Sequence, residues 1–259
     1  MLDEAKSLLD FYKSCGVYFL CDNKPISKFV APQQKLDSVV TSNTFTKTLG
    51  TNKPISSARI INSQEAEIVN QAKQLTKDCK TLEDLDSSLI KFTGCGFKSS
   101  AKHTLFYNGS LTSDQILVIK DFPYSAEERS GRFLEGTEGE MINKMFKAIG
   151  IAEDQFTILN TVFWRPPGER TLKTYEIEQC DPFIKKFIEL LSPKAIFILG
   201  GTGAYSLFRS KEPITKVRGQ AFDYNGIKTM ISYSPKTLEK TPVLKKYAFD
   251  DLLAFKKFL

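Results

Sequence analysis

The chain has 259 residues, with 36 Lys and Arg against 30 Asp and Glu, five Cys and one His. A hydrophobic fraction of 41% is typical of a soluble globular protein. No apolar run approaches the roughly 20 residues of a membrane span, so no membrane partner is expected. The acidic start, MLDEAKSLLD, lacks the order of a signal peptide and predicts a cytoplasmic protein. The single His103 excludes mechanisms that need two imidazoles, among them most zinc hydrolases.

The positive charge is concentrated towards the C-terminus. Residues 181–259 carry 14 basic and 7 acidic side chains, whereas residues 111–180 carry 8 basic and 12 acidic ones. A basic segment of this kind fits a polyanion such as nucleic acid. On charge alone, however, a solvated lysine-rich surface is the simpler explanation.

We predict that the N-terminal third of the chain is an extension that does not belong to the main domain. Residues 4–14 have apolar side chains at helical spacing and predict a helix. Residues 22–60 are polar, contain proline and predict a partly disordered linker. Helical patterns over residues 62–79 and 82–92 lead into the main domain.

From Ile116 onward, short apolar strands alternate with helical segments. The predicted strands are Gln115–Lys120, Phe156–Phe163, Lys194–Leu199 and Ile227–Tyr233. The predicted helices are Glu138–Ile149, Thr174–Leu191, Gly203–Phe208 and Tyr247–Leu259. This alternation predicts an α/β fold of three layers (α/β/α), with a central, mainly parallel four-stranded sheet. Ligands of such sheets bind beyond the carboxyl ends of the strands.

Polar or conformationally special residues stand at all four of these strand ends. They are Asp121, Asn160, the glycines of the segment 200–203, and Ser234. Each has an ordinary structural explanation: a turn acid, a turn amide, a tight turn into a helix, and a helix N-cap. The glycines are not followed by Lys-Ser or Lys-Thr, so they do not form a P-loop. Their joint placement nevertheless indicates a single cleft.

The residues from 116 to 259 resemble the uracil-DNA glycosylase superfamily, and most of all its bacterial family 4 type. The best-matching block is LNTVFWRPPGER, residues 159–170. Supporting matches are the spacing of Gly131, Gly136 and Gly139, and the blocks at residues 189–194, 198–200 and 217–219. The resemblance implies a glycosylase domain over residues 86–259, behind an extension of unknown role over residues 1–85. Such enzymes flip uracil or a related base out of DNA and hydrolyse its N-glycosidic bond in base excision repair.

The resemblance assigns the catalytic positions to Asp121, Asn160 and Ser234. Asn160 falls on the asparagine that reads uracil, and Asp121 falls on the acid that positions water, shortened by one methylene. Ser234 falls on the catalytic histidine, and its hydroxyl donates a hydrogen bond but supplies no positive charge. Losing one such donor typically costs about 10²–10³ in rate. His103 precedes the first predicted strand and is expected to be structural or on the surface.

The same resemblance assigns the base-binding positions. Lys120 and Tyr124 fall on two glycines that flank the family's acid. Tyr124 resembles the tyrosine by which the classical family excludes the methyl group of thymine, or else it simply fills the pocket. Leu134 falls on the aromatic platform for the base, with the neighbouring Phe133 or Phe122 as substitutes.

Family 4 enzymes also hold a [4Fe–4S] cluster through four cysteines. Cys95 and Cys180 fall on the first and fourth of these ligands, whereas Lys98 and Trp164 occupy the second and third. Two thiolates do not satisfy a cluster that needs four. We therefore expect no cofactor and no metal, with both thiols used in packing.

DNA is the partner that the resemblance implies, bound by a monomer. The segment Pro235–Thr241 corresponds to the family's minor-groove wedge loop, with Leu238 as the wedge and Lys236 and Lys240 as phosphate contacts. Other basic residues that extend this surface are Arg165, Lys245 and Lys246. The helix over residues 4–14 is a further candidate site for a repair or replication partner.

Two functions remain open at this point. The first is an active glycosylase, favoured by Asn160, the Trp-Arg-Pro-Pro-Gly block and the glycine spacing. The second is a DNA-binding or interaction module with weak or no catalysis. The altered motif over residues 120–124, together with Leu134 and Ser234, favours this second function.

Overall fold

A computed structural model of the chain describes residues 63–109, 111–112 and 114–259. The helix predicted over residues 4–14 and the linker predicted over residues 22–60 lie outside the described residues. In the part of the chain that is described, no helix has the length and apolarity needed to cross a membrane.

Six strands form one mixed sheet. They are Tyr107–Asn108 (β1), Ile116–Lys120 (β2), Phe156–Asn160 (β3), Ala195–Leu199 (β4), Ala221–Tyr224 (β5) and Ile227–Ser232 (β6). Their order is β1-β3-β2-β4-β6-β5, and β3, β2, β4 and β6 run parallel to one another. These four are the strands predicted from the sequence, which confirms the fold class. The strands β1 and β5 pair antiparallel at the two edges, and their short, partly exposed sequences had given no strand pattern.

Ten α-helices lie among the described residues. They are Ser63–Lys77 (α1), Leu82–Lys91 (α2), Ser125–Ser130 (α3), Gly136–Ala148 (α4), Thr174–Glu178 (α5), Asp181–Leu191 (α6), Gly201–Phe208 (α7), Ile214–Val217 (α8), Pro235–Lys240 (α9) and Lys245–Lys256 (α10). The single helix predicted over residues 174–191 is in fact two, α5 and α6. Pro182 stands in the first turn of α6, where its ring ends the preceding hydrogen-bond ladder.

The sheet separates two hydrophobic cores, as the predicted three-layer fold requires. Successive residues of β2 point to opposite faces, so Leu117 and Ile119 enter one core while Ile116 and Val118 enter the other. The first core includes residues of α1, α2, α6 and α7, and the second includes residues of α4, α9 and α10. The predicted boundary between residues 85 and 86 falls within α2. That the segments on its two sides have different functions stays a prediction.

One buried carboxylate, that of Glu127, fixes the path of the chain after β2. Glu127 has no exposed surface and forms an ion pair of 2.7 Å with the equally buried Lys120, the last residue of β2. It also accepts hydrogen bonds from the backbone N–H groups of Tyr124 (2.8 Å) and Leu134 (2.9 Å). The Lys120 ammonium donates in addition to the carbonyl of Phe122 at 2.7 Å. The segment from residue 120 to residue 134 is therefore arranged around one buried ion pair.

We expect the substitution Glu127→Gln to lower the free energy of unfolding by about 3–5 kcal/mol, because it leaves the Lys120 charge buried without its counter-ion. Urea denaturation of the two proteins measures this difference. The matched control is Glu140→Gln, which removes a surface pair with Lys144 whose side chains are 41% and 66% exposed. That control should cost less than about 1 kcal/mol. Similar losses in both variants would contradict the assignment.

Candidate active site

The carboxyl ends of the parallel strands bring the predicted catalytic segments together. Lys120 and Asn160 are register partners at the ends of β2 and β3. The pairing continues beyond the strands, since Val162 N–H donates to the carbonyl of Asp121 at 2.9 Å. On the other side, a Cβ placed on Gly200 would come within 3.1 Å of the Cβ of Ser234. The four loops therefore meet along one edge of the sheet.

Asn160 presents an unsatisfied acceptor at this edge. Its side chain is completely buried, and its Nδ2 donates to the carbonyl of Leu105 at 2.7 Å. Its backbone N–H donates to the carbonyl of Phe106 at 3.0 Å. These contacts leave Oδ1 buried and without a hydrogen-bond partner. Since buried polar atoms are nearly always paired, this oxygen needs a donor, which water or a ligand supplies.

Asp121 and Tyr124 form the second polar element of the site. Asp121 keeps part of its surface in contact with solvent. Burial raises the pKa of Asp121, and the neighbouring Lys120 ammonium offsets this effect only in part. Tyr124 is fully buried, and its hydroxyl lacks a partner of good hydrogen-bond geometry. Burial, followed by the nearby Asp121 carboxylate, raises the pKa of Tyr124 well above its usual range.

Apolar side chains enclose these polar groups. Phe122 is 4% exposed, and its ring packs edge-on against Tyr124 with centroids 5.9 Å apart. Leu134 is 9% exposed and takes a left-handed φ of 60°. A Cβ on Gly139 would lie 2.1 Å from the carbonyl carbon of Leu134, so glycine at position 139 is what permits this turn.

The hydroxyl of Ser234 is already occupied by a helix terminus. Ser234 is the N-cap of α9, and its Oγ accepts from the Thr237 N–H at 3.3 Å. It also lies 2.9 Å from the Thr237 hydroxyl. The N-cap explanation weighed from the sequence is therefore confirmed. The lone His103 lies elsewhere, with its ring against Gly131 at the end of α3.

A second carboxylate, Glu169, joins three of the loops. It accepts from the Ser125 N–H at 2.9 Å, from Arg165 Nε at 3.2 Å and from Lys236 Nζ at 2.7 Å. Glu169 itself takes a left-handed φ of 50°, a conformation that non-glycine residues hold at an energetic cost. Although burial opposes it, the hydrogen bonds from Lys236 and Arg165 lower the pKa of Glu169.

The predicted DNA-binding residues fall into different environments. Arg165 and Lys236 are partly buried by their pairing with Glu169, whereas Lys240 and Lys246 are exposed. Leu238 has no exposed surface and packs in the second core. The wedge role predicted for Leu238 does not fit this placement, because the side chain anchors α9 to the core. Lys245 is also buried and does not extend a basic surface.

The residues at the cluster positions do not fit a [4Fe–4S] group. Lys98 donates to the carbonyls of Leu89 (3.2 Å), Ile90 (2.7 Å) and Phe92 (2.7 Å), which uses all three of its N–H donors. These carbonyls belong to the end of α2, where a helix leaves acceptors unpaired. Lys98 also lies over the ring of Trp164, 5.8 Å from its centroid.

The two cysteines at this corner do not resemble cluster ligands either. Cys95 and Cys180 are buried neighbours that interact through their thiols. Burial raises the pKa of Cys180 well above its usual range, whereas the hydrogen bond with Cys180 lowers the pKa of Cys95, so the pair does not supply the four thiolates that the cluster requires. Among the described residues, no three His, Cys, Asp or Glu side chains are grouped so as to hold a metal ion.

Sequence reasoning missed two residues of the site, Glu127 and Glu169. Glu127 lies four residues before the matched Gly131, but its role depends on contacts that the glycine spacing does not show. Glu169 carried a usable signal, since it is an acidic residue within the best-matching block, residues 159–170.

One family model and several known proteins are similar to this chain. Residues 106–253 match the model of the Uracil DNA glycosylase superfamily. The type-4 uracil-DNA glycosylase of Thermotoga maritima is 29% identical over 183 residues, which is 69% of this chain and 94% of the relative. That of Sulfurisphaera tokodaii is 31% identical over 152 residues, 55% of this chain and 68% of the relative. That of Pyrobaculum aerophilum is 27% identical over 54% of this chain and 76% of the relative. The chain therefore belongs to the uracil-DNA glycosylase superfamily.

Proposed function

We propose that the protein is a DNA glycosylase that excises uracil from DNA. The observation that carries this proposal is the buried, unpaired Oδ1 of Asn160 at the strand end next to that of Asp121, a residue that is only partly buried. An acceptor and a water-binding acid at one strand end are what hydrolysis of a flipped base requires. The relatives named type-4 uracil-DNA glycosylase support the choice of uracil as the base.

The fixed orientation of the Asn160 amide favours uracil over cytosine. The Leu105 carbonyl holds the NH₂ group at 2.7 Å, so the amide oxygen is the group presented to a ligand. Uracil carries a donor at N3 that satisfies this oxygen, whereas N3 of cytosine is an acceptor and opposes it. The cost of leaving a buried polar atom unpaired makes this discrimination effective.

In the proposed reaction, the flipped base lies among Asn160, Phe122 and Tyr124. The ionised Asp121 orients a water molecule towards C1′ of the sugar and receives its proton. Positive charge develops on the sugar and negative charge on the departing uracil, so preorganised charges and donors determine the rate. The enclosed ring of Tyr124 limits the room for a methyl group such as that of thymine.

Excision is tested with single- and double-stranded oligonucleotides that contain one uracil. We expect the wild type to release uracil, and Asn160→Ala to lower the single-turnover rate by about 10²–10³, the usual cost of one such contact. Asn143→Ala is the matched control, since Asn143 lies on α4 and bonds Glu153 at 2.9 Å. Its rate should equal that of the wild type. If the wild type binds DNA but releases no uracil, and Ser234→His gains activity, the result would instead support a DNA-binding module with weak or no catalysis.

The pH dependence reports on Asp121. Its ionised form is the active one, and burial raises its pKa above the ordinary value of 3.8. On acidification the single-turnover rate should therefore begin to fall at a higher pH than an ordinary aspartate would give. Rates measured between about pH 4 and pH 8 locate this acid limb. In Asp121→Asn the limb should disappear along with most of the rate, and a limb that persists unchanged would assign it to another group.

We also propose that the protein folds without an iron–sulfur cluster. Lys98 and Trp164 occupy two of the four ligand positions. Lys98 lies over the Trp164 ring and donates to the end of α2, and Trp164 Nε1 donates to the Thr104 hydroxyl. The cytoplasmic location, the monomeric state and a partner site in residues 4–14 stay predictions from the sequence.

Iron and sulfide analysis of anaerobically purified protein tests the missing cluster. We expect almost no iron, whereas a value near about four iron atoms per chain would contradict the proposal. The substitution Lys98→Met should lower the free energy of unfolding by about 1–3 kcal/mol, because it leaves carbonyls at the end of α2 unpaired. Lys77→Met, at the end of α1, is the control and should change stability much less.

A further inference from the structure

The proposed excision needs a positive charge near the departing base. Ser234, which stands at the position of the family's catalytic histidine, does not provide one. The uracil leaves with the electron pair of its bond to the sugar, so negative charge builds on its oxygen O2. The hydroxyl of Ser234, where the resemblance places a histidine, is bonded to the N–H and hydroxyl groups of Thr237. A cation from elsewhere on the same edge of the sheet would meet this need.

Lys236 places its ammonium on the loop that carries the catalytic acid. Its Nζ lies 5.7 Å from the centroid of the Phe122 ring. Phe122 directly follows Asp121, and its ring also contacts that of Tyr124. The side chain of Lys236 is 22% exposed, so its ammonium is partly shielded from water.

Glu169 fixes the position of this ammonium. Lys236 Nζ donates to Glu169 Oε2 at 2.7 Å and to the Glu169 carbonyl at 3.2 Å. The carboxylate is in turn held by the Ser125 N–H and by Arg165. Two of the three N–H donors of Lys236 are thus used, and in the described part of the chain the third has no hydrogen-bond partner.

The other cations near this edge are less well placed to reach a base. Lys120 Nζ lies 4.3 Å from the centroid of the Tyr124 ring, but its side chain is paired with Glu127 and has no exposed surface. Arg218 is paired with Asp251 and with the carbonyl of Tyr247. Arg165 shares Glu169 with Lys236, and no contact of Arg165 with the Asp121–Tyr124 segment is seen among the described residues. Lys236 is therefore the partly exposed cation that the geometry brings to the base-binding residues.

We propose that Lys236 donates a hydrogen bond to the departing uracil and stabilises its negative charge, taking over the role of the missing histidine. This inference rests on the proposed excision of uracil. The bond between C1′ and N1 breaks, and its electron pair passes to the uracil ring. Water adds its oxygen to C1′ and gives its proton to Asp121. Lys236 keeps its own proton throughout, and the released uracil anion takes a proton from solvent.

The proposal differs measurably from the phosphate contact that the sequence predicts for Lys236. A phosphate contact contributes to affinity and to the salt dependence of binding. A contact with the leaving base contributes mainly in the transition state and thus to the rate of the chemical step. Its effect also depends on the leaving group, since 5-fluorouracil forms a more stable anion than uracil and needs less help.

The test compares Lys236→Met, Lys236→Arg and wild type on DNA that contains either uracil or 5-fluorouracil. We expect Lys236→Met to lower single-turnover excision of uracil by about 10²–10³, with a clearly smaller loss on 5-fluorouracil. DNA affinity and its salt dependence should be unchanged. Lys236→Arg keeps the charge and should retain more activity than Lys236→Met. Lys147→Met, an exposed lysine on α4, is the control and should match the wild type.

Several outcomes would overturn the proposal. If Lys236→Met lost activity equally on the two bases, or bound DNA more weakly and with a smaller salt dependence, Lys236 would be a phosphate contact. If Lys236→Met kept full activity, Lys236 would have no part in the mechanism, and the proposed excision of uracil would stand. A wild type that releases neither base would reject both this inference and the proposed function. If Lys236→Met does not fold, Lys236→Gln is compared with Lys236→Arg by the same measurements.

Discussion

The buried ion pair of Lys120 and Glu127 is the interaction on which the candidate site depends. The family has small glycines on both sides of its catalytic acid, whereas this chain has Lys120 and Tyr124. A lysine at the end of a fully buried strand is unfavourable without a partner, and Glu127 provides one. The same carboxylate binds the N–H groups of Tyr124 and Leu134. One compensated charge therefore sets the path of the chain around Asp121.

Glu169 has a corresponding role between the other loops. It connects the start of α3, the loop after β3 and the first turn of α9 through Ser125, Arg165 and Lys236. Two carboxylates thus define the site. Glu127 fixes the loop that carries Asp121, and Glu169 joins that loop to its neighbours. The family resemblance assigns neither of them a catalytic or binding role. Lys120 and Tyr124 both contact Glu127, whereas Lys236 forms an ion pair with Glu169.

The sequence predicted what depends on local pattern and missed what depends on tertiary contacts. The parallel strands β2, β3 and β4 are short, mainly apolar runs in which every residue is buried, and such runs are recognisable in a sequence. The edge strand β1 has only two residues, and its pairing with β3 is decided by the sheet itself. The wedge role predicted for Leu238 does not fit the structure, since α9 turns that side chain into the core. The roles of Glu127 and Glu169 arise from partners 7 and 44 residues away in the chain.

The packing of α1 and α2 has a consequence for the shortest part of the chain that can fold. The family match begins at Phe106, yet Ala72, Leu85 and Leu89 belong to the same core as Leu117 and Ile119 of the central strand. Both helices also contact α6. A fragment cut at the family boundary would expose that core along one side of the sheet. Any exchange of the catalytic half between relatives would have to carry these two helices with it.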